Sequence, residues 1–319
     1  LYNPGSKVPG YGYAYNGNNT YGKTDTVAGY LFDTITFDKR WQFDGSVRFD
    51  RYWTKYNQSY GTPTSCIVGE GKGSTYCPTG VSKGTKISEA NADQNGTLLS
   101  YKVGVVYKPL PFGSIYFDYA VSSQPPGGQT FALSYGYSSA DNPAMKPEKA
   151  RTMELGTKWD LLQRKLLVTA ALYRTEVMND VEADSTTSTG YSQYGKKRVQ
   201  GVEIGATGNI LPNWSVNAGF TIMDTSVTAG TAVSSDPNSS GLPYTPKYAF
   251  TSWTTYRFPF GLTVGGGVRY TSKLTREYQD ATGVPTSIPG YWVIDGMLSY
   301  PIQSNVDFRA NIYNITNNK

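Results

Sequence analysis

The chain reads as an all-β protein, one antiparallel up-and-down sheet whose strands cross a membrane and belong to a barrel wall. Three observations carry that reading. Apolar and polar residues alternate with period two over unusually long runs. Short turns exchange regularly with long polar segments. The composition leaves little room for amphipathic helices.

The alternation is plainest from Trp41 to Thr54. Odd positions read Trp41, Phe43, Gly45, Val47, Phe49, Arg51 and Trp53, while even positions read Gln42, Asp44, Ser46, Arg48, Asp50, Tyr52 and Thr54. Such a run is about twice the five or six residues usual for a strand in a globular sheet. The pattern recurs at 99–107, 115–121, 214–222, 262–270 and 306–312.

The spacing between runs sets the topology. Tight turns are predicted around Asp38–Arg40, Pro109–Gly113, Asp160–Arg164, Ile210–Asn213, Phe258–Gly261 and Pro301–Ser304. Long polar segments near 57–96, 124–150, 179–195, 227–246 and 274–289 separate the resulting hairpins. Strict exchange of short and long connections is the rhythm of an outer-membrane barrel, with turns toward the periplasm and loops outside. Soluble sandwiches mix their connections more freely. Strand-end aromatics Trp41, Trp53, Tyr107, Trp159, Trp214, Tyr270, Trp292 and Tyr300 are then expected in the interfacial girdles. Met153–Tyr173 could also be threaded on a helix through Leu155, Leu161, Leu162, Leu166 and Leu167. Gly156 and the polar break at Asp160–Arg164 favour a hairpin.

Composition agrees. Of 319 residues, 38% are hydrophobic and 14% aromatic, with 27 Tyr, 35 Gly and no His. Tyr- and Gly-rich chains without long apolar runs suit strands that are apolar on one face only. No run approaches the 18 or so apolar residues that a membrane helix needs, which leaves strand crossing open. The net charge of +5 is dispersed, so nucleic acid is not an expected partner. Without His there is no Ser–His or Cys–His pair, and Gly265–Gly267 lies inside a strand pattern rather than a phosphate loop. The chain is expected not to be an enzyme and to bind no metal.

Cys66 and Cys77 enclose ten residues rich in Gly. A metal pair or a reactive thiol is the alternative, but with no His and no second Cys pair the reading favours a disulfide, worth about 2–3 kcal/mol and implying an oxidising compartment.

Several phrases carry a family likeness. Asn142-Pro-Ala-Met-Lys-Pro-Glu-Lys-Ala-Arg-Thr-Met-Glu-Leu-Gly-Thr-Lys-Trp159, Ala170–Arg174 and Val199-Gln-Gly-Val-Glu203 resemble TonB-dependent siderophore receptors. So do Phe32–Ile35, Val47–Asp50, Pro246–Tyr248, Pro289–Asp295 and Asn311–Asn317, all in the family's order. The catecholate branch is the nearest likeness. The resemblance implies a 22-stranded barrel plugged by an N-terminal domain. About twelve of its strands are expected here, with the plug, the TonB-binding segment, the first strands and the last strand outside the chain. Half a barrel leaves unpaired edges in lipid, so a partial receptor is the expectation.

The resemblance also implies a function: import of a ferric siderophore, captured by external loops and admitted with energy from the TonB complex. The siderophore is the transported ligand, with no covalently bound cofactor. The other expected surroundings are the lipid bilayer and lipopolysaccharide, and the expected state is a monomer in the bacterial outer membrane. A ferric catecholate is an anion with flat rings, which Arg and Lys attract and aromatic side chains stack against. Candidate binders are Tyr52, Tyr135, Tyr137, Tyr191, Tyr194, Lys196, Arg269 and Tyr278, each also readable as loop packing or a solvated charge. Glu154 and Glu203 fall on the charged face, where ion pairs with Arg or Lys of neighbouring strands would line the wall around a plug. A passive porin or substrate-specific channel shares the alternation and girdles and is the alternative.

Overall fold

The computed structural model describes residues 19–61, 86–126, 133, 144–183, 191–230, 241–275 and 287–318. Every long alternating run has become a strand: β1 (Asn19–Thr36), β2 (Trp41–Gly61), β3 (Lys86–Leu110), β4 (Gly113–Gln124), β5 (Glu148–Leu161), β6 (Leu166–Ala183), β7 (Tyr191–Leu211), β8 (Trp214–Ala229), β9 (Tyr248–Arg257), β10 (Thr263–Thr271), β13 (Tyr291–Gln303) and β14 (Val306–Ile312). These twelve form one sheet in the order β1-β2-β3-β4-β5-β6-β7-β8-β9-β10-β13-β14. Two-residue strands β11 (Leu274–Thr275) and β12 (Ser287–Ile288) pair separately within the last long segment. That small hairpin is not visible as an alternation, because two residues carry no period.

All six predicted turns fall between consecutive strands. The Met153–Tyr173 segment is a hairpin, with β5 and β6 in register from Lys149↔Met178 to Leu161↔Leu166. Its turn holds Leu162, Gln163 and Arg164 at φ of 51, 59 and 66°. Three successive left-handed residues reverse the chain, and no right-handed helix can pass through them. At two places the strands run farther than their alternation suggested: β2 reaches Gly61 and β7 begins at Tyr191, so the segments predicted near 57–96 and 179–195 are shorter than expected.

The chain divides into two units, one of Leu1–Val27, Arg51–Thr97 and Pro126–Met145, the other of Ala28–Asp50, Leu98–Pro125 and Lys146–Lys319. In the first, Thr24 and Thr54 share a hydroxyl hydrogen bond of 2.9 Å, and Arg51 donates to Asn95 at 2.8 Å.

In the second unit, cross-strand register lines apolar residues into rows. One runs Phe117↔Leu155↔Leu172↔Val202↔Ile222↔Tyr248 across β4 to β9. Its neighbour continues Ala170↔Ile204↔Phe220↔Phe250↔Tyr270↔Trp292. These side chains are uncovered: Leu155, Leu172 and Ile204 are 48%, 53% and 49% exposed. A continuous apolar face of this extent is untenable in water and suits hydrocarbon. Among the described residues no second layer covers this sheet, so fully buried apolar side chains are few. The polar face carries Asp118↔Glu154↔Tyr173↔Gly201 and Tyr116↔Gly156↔Ala171↔Glu203↔Thr221.

Aromatics gather at the turn-side ends of the strands. Trp41 and Tyr107 lie 4.5 Å apart between ring centres, Phe112 and Trp159 6.2 Å, and Tyr256 and Phe258 5.0 Å. Tyr270 and Trp292 pair at 4.5 Å near the opposite ends. Two amphipathic belts separated by an apolar band match a membrane's two interfaces.

The β1–β2 turn is held by Asp38, whose carboxylate accepts the backbone N–H groups of Arg40 at 2.6 Å and Trp41 at 2.8 Å. Those donors favour the ionised form and hold the Asp38 carboxyl below its usual range. Its stabilisation is therefore complete above the unfolded value of about 3.9 and lost as pH falls through the lowered folded value. Asp38→Ala should unfold at lower urea than the parent at neutral pH, with the two midpoints converging in strong acid. An unchanged difference in acid would show that the ionised carboxylate is not what holds the turn.

Candidate functional site

The polar face is where the predicted binders were expected to meet. It is built by cross-strand packing of large side chains over glycines. Tyr116 lies over Gly156, where an added Cβ would come within 2.4 Å of the Tyr116 ring, and Tyr173 lies over Gly201 in the same way. The phenols thus lie along the wall instead of projecting from it. Trp253 covers Gly267 similarly, which gives the Gly265–Gly267 run its packing role.

Charges on this face are paired by register. Lys102 reaches Asp118 at 3.0 Å and Asp44 at 3.4 Å, bridging β2, β3 and β4. Arg48 and Asp50, two apart on β2, form a two-point contact with Nη2–Oδ1 of 2.7 Å. The bulge at Asn179, with φ of 64°, leaves Asp180 paired with Lys197 at 2.5 Å.

The expected partners of Glu154 and Glu203 need correction. Glu154 accepts a hydrogen bond of 2.5 Å from the Tyr116 hydroxyl, and its cross-strand neighbours are Asp118 and Tyr173. Glu203 faces Ala171 and Thr221. Neither forms an ion pair with Arg or Lys among the described residues. Arg151, three residues from Glu154, and Arg198, five from Glu203, fall on the opposite face by parity, while on the polar face Lys158 lies over the Tyr116 ring at 5.0 Å and Lys197 pairs with Asp180. Both glutamates lie on the polar face.

The predicted binders separate into groups. Arg269 is on the polar face and 60% exposed at its side chain, with Nη2 3.0 Å from Asp295 Oδ2. Asp295 is itself anchored, since its Oδ1 accepts the Asn314 N–H at 2.9 Å. The guanidinium is thereby aimed while most of it remains open. Tyr52 is on the polar face but only 2% exposed: its ring fills the slot over Gly96 and its hydroxyl donates to Gln94 at 3.0 Å. It is a packing residue. Lys196 is a second correction, because it stands opposite Met178 two residues from Arg198, which faces Glu176, and so lies on the apolar side of the sheet. The parity of its distance to Glu203 carries that signal in the sequence. Tyr191 and Tyr194 lie on β7 toward its loop end, where only the backbone is described. Tyr135, Tyr137, Tyr278, Cys66 and Cys77 lie outside the described residues.

A family model described as TonB dependent receptor-like, beta-barrel, matches residues 2–315. The chain belongs to that family.

Within it, the chain is 42% identical to the catecholate siderophore receptor Fiu of Escherichia coli K12 over 317 residues, covering 99% of this chain and 41% of that protein. It is 32% identical to the probable TonB-dependent siderophore receptor PiuA of Acinetobacter baumannii, covering 92% and 37%. The closed form of the ferric-catecholate import receptor Fiu superposes with a TM-score of 0.88 at 41% identity, over 99% of this chain and 44% of that one. PiuA superposes with a TM-score of 0.74. The chain thus spans about two fifths of the length of these relatives. As a TonB-dependent receptor wall it resides in the bacterial outer membrane, with its apolar face toward lipid and its polar face toward the lumen.

Proposed function

We propose that this chain is part of the wall of a 22-stranded, plugged receptor that imports a ferric siderophore of the catecholate type with energy from TonB. The observation that supports the substrate class is the 42% identity to a catecholate siderophore receptor along 99% of the chain. In this reading the protein makes no bond to its cargo. Iron arrives chelated, and the wall supplies attraction, stacking and a guarded path.

Arg269 is the proposed cationic contact, held by Asp295 and open to the lumen. Tyr135, Tyr137, Tyr191, Tyr194 and Tyr278 are the proposed stacking groups of the external loops and loop-side strand ends, where a flat catecholate ring would first meet the receptor. Glu154 and Glu203 are proposed to face the plug, with Tyr116 fixing the Glu154 carboxylate in place. Tyr52 and Lys196 have no part in the proposed contact, one being buried and the other facing lipid.

Uptake of a radiolabelled ferric catecholate into iron-starved cells lacking other catecholate receptors tests this. The triple variant Arg269→Ala, Tyr191→Ala, Tyr194→Ala should lower apparent affinity at least ~10-fold, since each lost contact is worth about 1 kcal/mol. Parent uptake should vanish in cells without TonB. Unchanged uptake by the triple variant would remove these residues from the site. Uptake that persists without TonB would indicate an open channel instead.

A further inference from the structure

Charge on the turn side of this sheet is concentrated in one sector. Residues 36–43, 106–113 and 158–165, around the β1–β2, β3–β4 and β5–β6 turns, carry six lysines and arginines against two carboxylates, Asp38 and Asp160. Over the matching stretches at the β7–β8, β9–β10 and β13–β14 turns, residues 208–215, 256–263 and 299–306, Arg257 is the one charged residue. An attraction for lipid headgroups would favour basic residues all around the rim. A single sector points to a local ligand instead.

That sector encloses a cavity of about 390 Å³ between the β3–β4 and β5–β6 turns, with Lys108, Ser114, Lys158, Asp160, Arg164 and Leu167 in its lining. The volume falls within the range of about 300–1,000 Å³ usual for small-ligand sites. Local backbone geometry builds it. A bulge between Tyr107 and Leu110 leaves Lys108 out of the β3–β4 register. The left-handed residues of the β5–β6 turn bring Arg164 to the cavity's edge. The Asp160 N–H donates to the Phe112 carbonyl at 2.7 Å and so ties one turn to the other. Register places Lys158, opposite Ser114, and Asp160, opposite Leu167, on the polar face. The cavity therefore opens on the lumen side, at the periplasmic end.

Its three cations are not used internally. Among the described residues, Lys108, Lys158, Arg164 and Asp160 enter no salt bridge and no side-chain hydrogen bond. Lys158 lies over the Tyr116 ring at 5.0 Å, a contact that leaves its charge unneutralised. Farther up the wall the sign reverses, with Asp118 opposite Glu154 and Glu203 beyond them on β7. Lys102, at that level, is already held by Asp44 and Asp118. Arg269 stands at the loop end. An anion moving along this wall thus meets open cations at its two ends and is not held between them, the condition for passage without trapping.

We propose that this cavity is a second anion subsite, which receives the chelated cargo at the periplasmic end of the wall before its release. The inference rests on the ferric catecholate reading above and adds where the cargo goes. Lys108, Lys158 and Arg164 meet the charge of the complex, while Phe112 and Leu167 offer apolar surface to a flat ring. No bond is made or broken, and exposed charges hold the cargo weakly enough to let it go.

The test uses the whole receptor and the iron(III) tris-catechol complex, first in detergent, where both mouths are open to the probe. The parent should bind two equivalents, the second more weakly. Lys158→Gln with Arg164→Gln should weaken the second equivalent about tenfold and leave the first within about twofold. Arg269→Ala should do the reverse. In cells, the double Gln variant should keep the parent KM for uptake and lower the maximal rate about threefold, the signature of a step after capture. Lys158→Arg with Arg164→Lys preserves the charge and should restore that rate. A parent that binds no ferric catecholate would sink the cargo reading, and this inference with it. The inference alone is overturned if the parent binds a single equivalent, or if the double Gln variant binds and transports like the parent. A lower maximal rate with both equivalents retained would overturn it too, and would assign the basic sector to an acidic protein segment.

Discussion

Phe220→Arg should leave the receptor largely unable to fold into a membrane, whereas Thr221→Arg, one residue on, should be tolerated. Phe220 stands between Ile204 and Phe250 in the apolar row, six residues above the Trp214 girdle. That is about 15 Å at the usual rise and tilt, close to the midplane of the apolar band, where an arginine costs about 2–4 kcal/mol. Thr221 stands between Glu203 and Ala249 on the lumen face. A guanidinium there remains hydrated and gains a facing carboxylate, so the expected change is within about 1 kcal/mol. Urea unfolding of the receptor refolded into liposomes separates the two. Equal destabilisation, or the reverse order, would mean that the faces have been assigned wrongly.

Gly208→Val is the second large effect, and its cause is the backbone. Gly208 holds φ at +138°, and a Cβ there would lie 2.1 Å from the Lys165 carbonyl oxygen and 2.9 Å from Leu166 Cα. Neither obstacle is the end of a flexible side chain. The same carbonyl accepts the Asn209 N–H at 2.7 Å, so moving it breaks the hydrogen bond that seats β7 on the β5–β6 turn. Backbone strain of about 1–3 kcal/mol and overpacking of similar size should together cost roughly 2–6 kcal/mol. Gly219→Ala supplies the contrast. Its Cβ would rest 3.7 Å from Thr251 Cγ2, an ordinary contact, and the effect should lie within about 1 kcal/mol. The same unfolding assay reads both. Matching stabilities for Gly208→Val and Gly219→Ala would show that the turn can shift to admit a side chain.

Much of the barrel wall is legible in the residues because its physics is local. Alternation at Trp41–Thr54 marks a half-wetted strand, and Asp160–Arg164 marks a reversal, whatever lies beside them. Even the face of Lys196 was available, since its odd separation from Glu203 sends it to the lipid side. The candidate site was less legible. Nothing near Tyr52 in sequence announces that Gly96 opens a slot for its ring. Nothing beside Glu154 announces that Tyr116 will reach it before any arginine does. Those facts depend on residues 44 and 38 positions apart in the chain.

The sequence by itself determined that the strands are long, that one face is apolar, where the chain turns, and, through ordered phrases, which receptor family it resembles. Tertiary structure decided who stands opposite whom. Register across a sheet is set by bulges such as that at Asn179 and by turns such as Leu162–Arg164, and a shift of one residue exchanges the two faces. Only with register in place do Arg269 and Asp295 meet at 3.0 Å in the lumen. On the outer wall, register likewise joins Arg151, Glu176, Arg198 and Ser226 from four strands into one charged row.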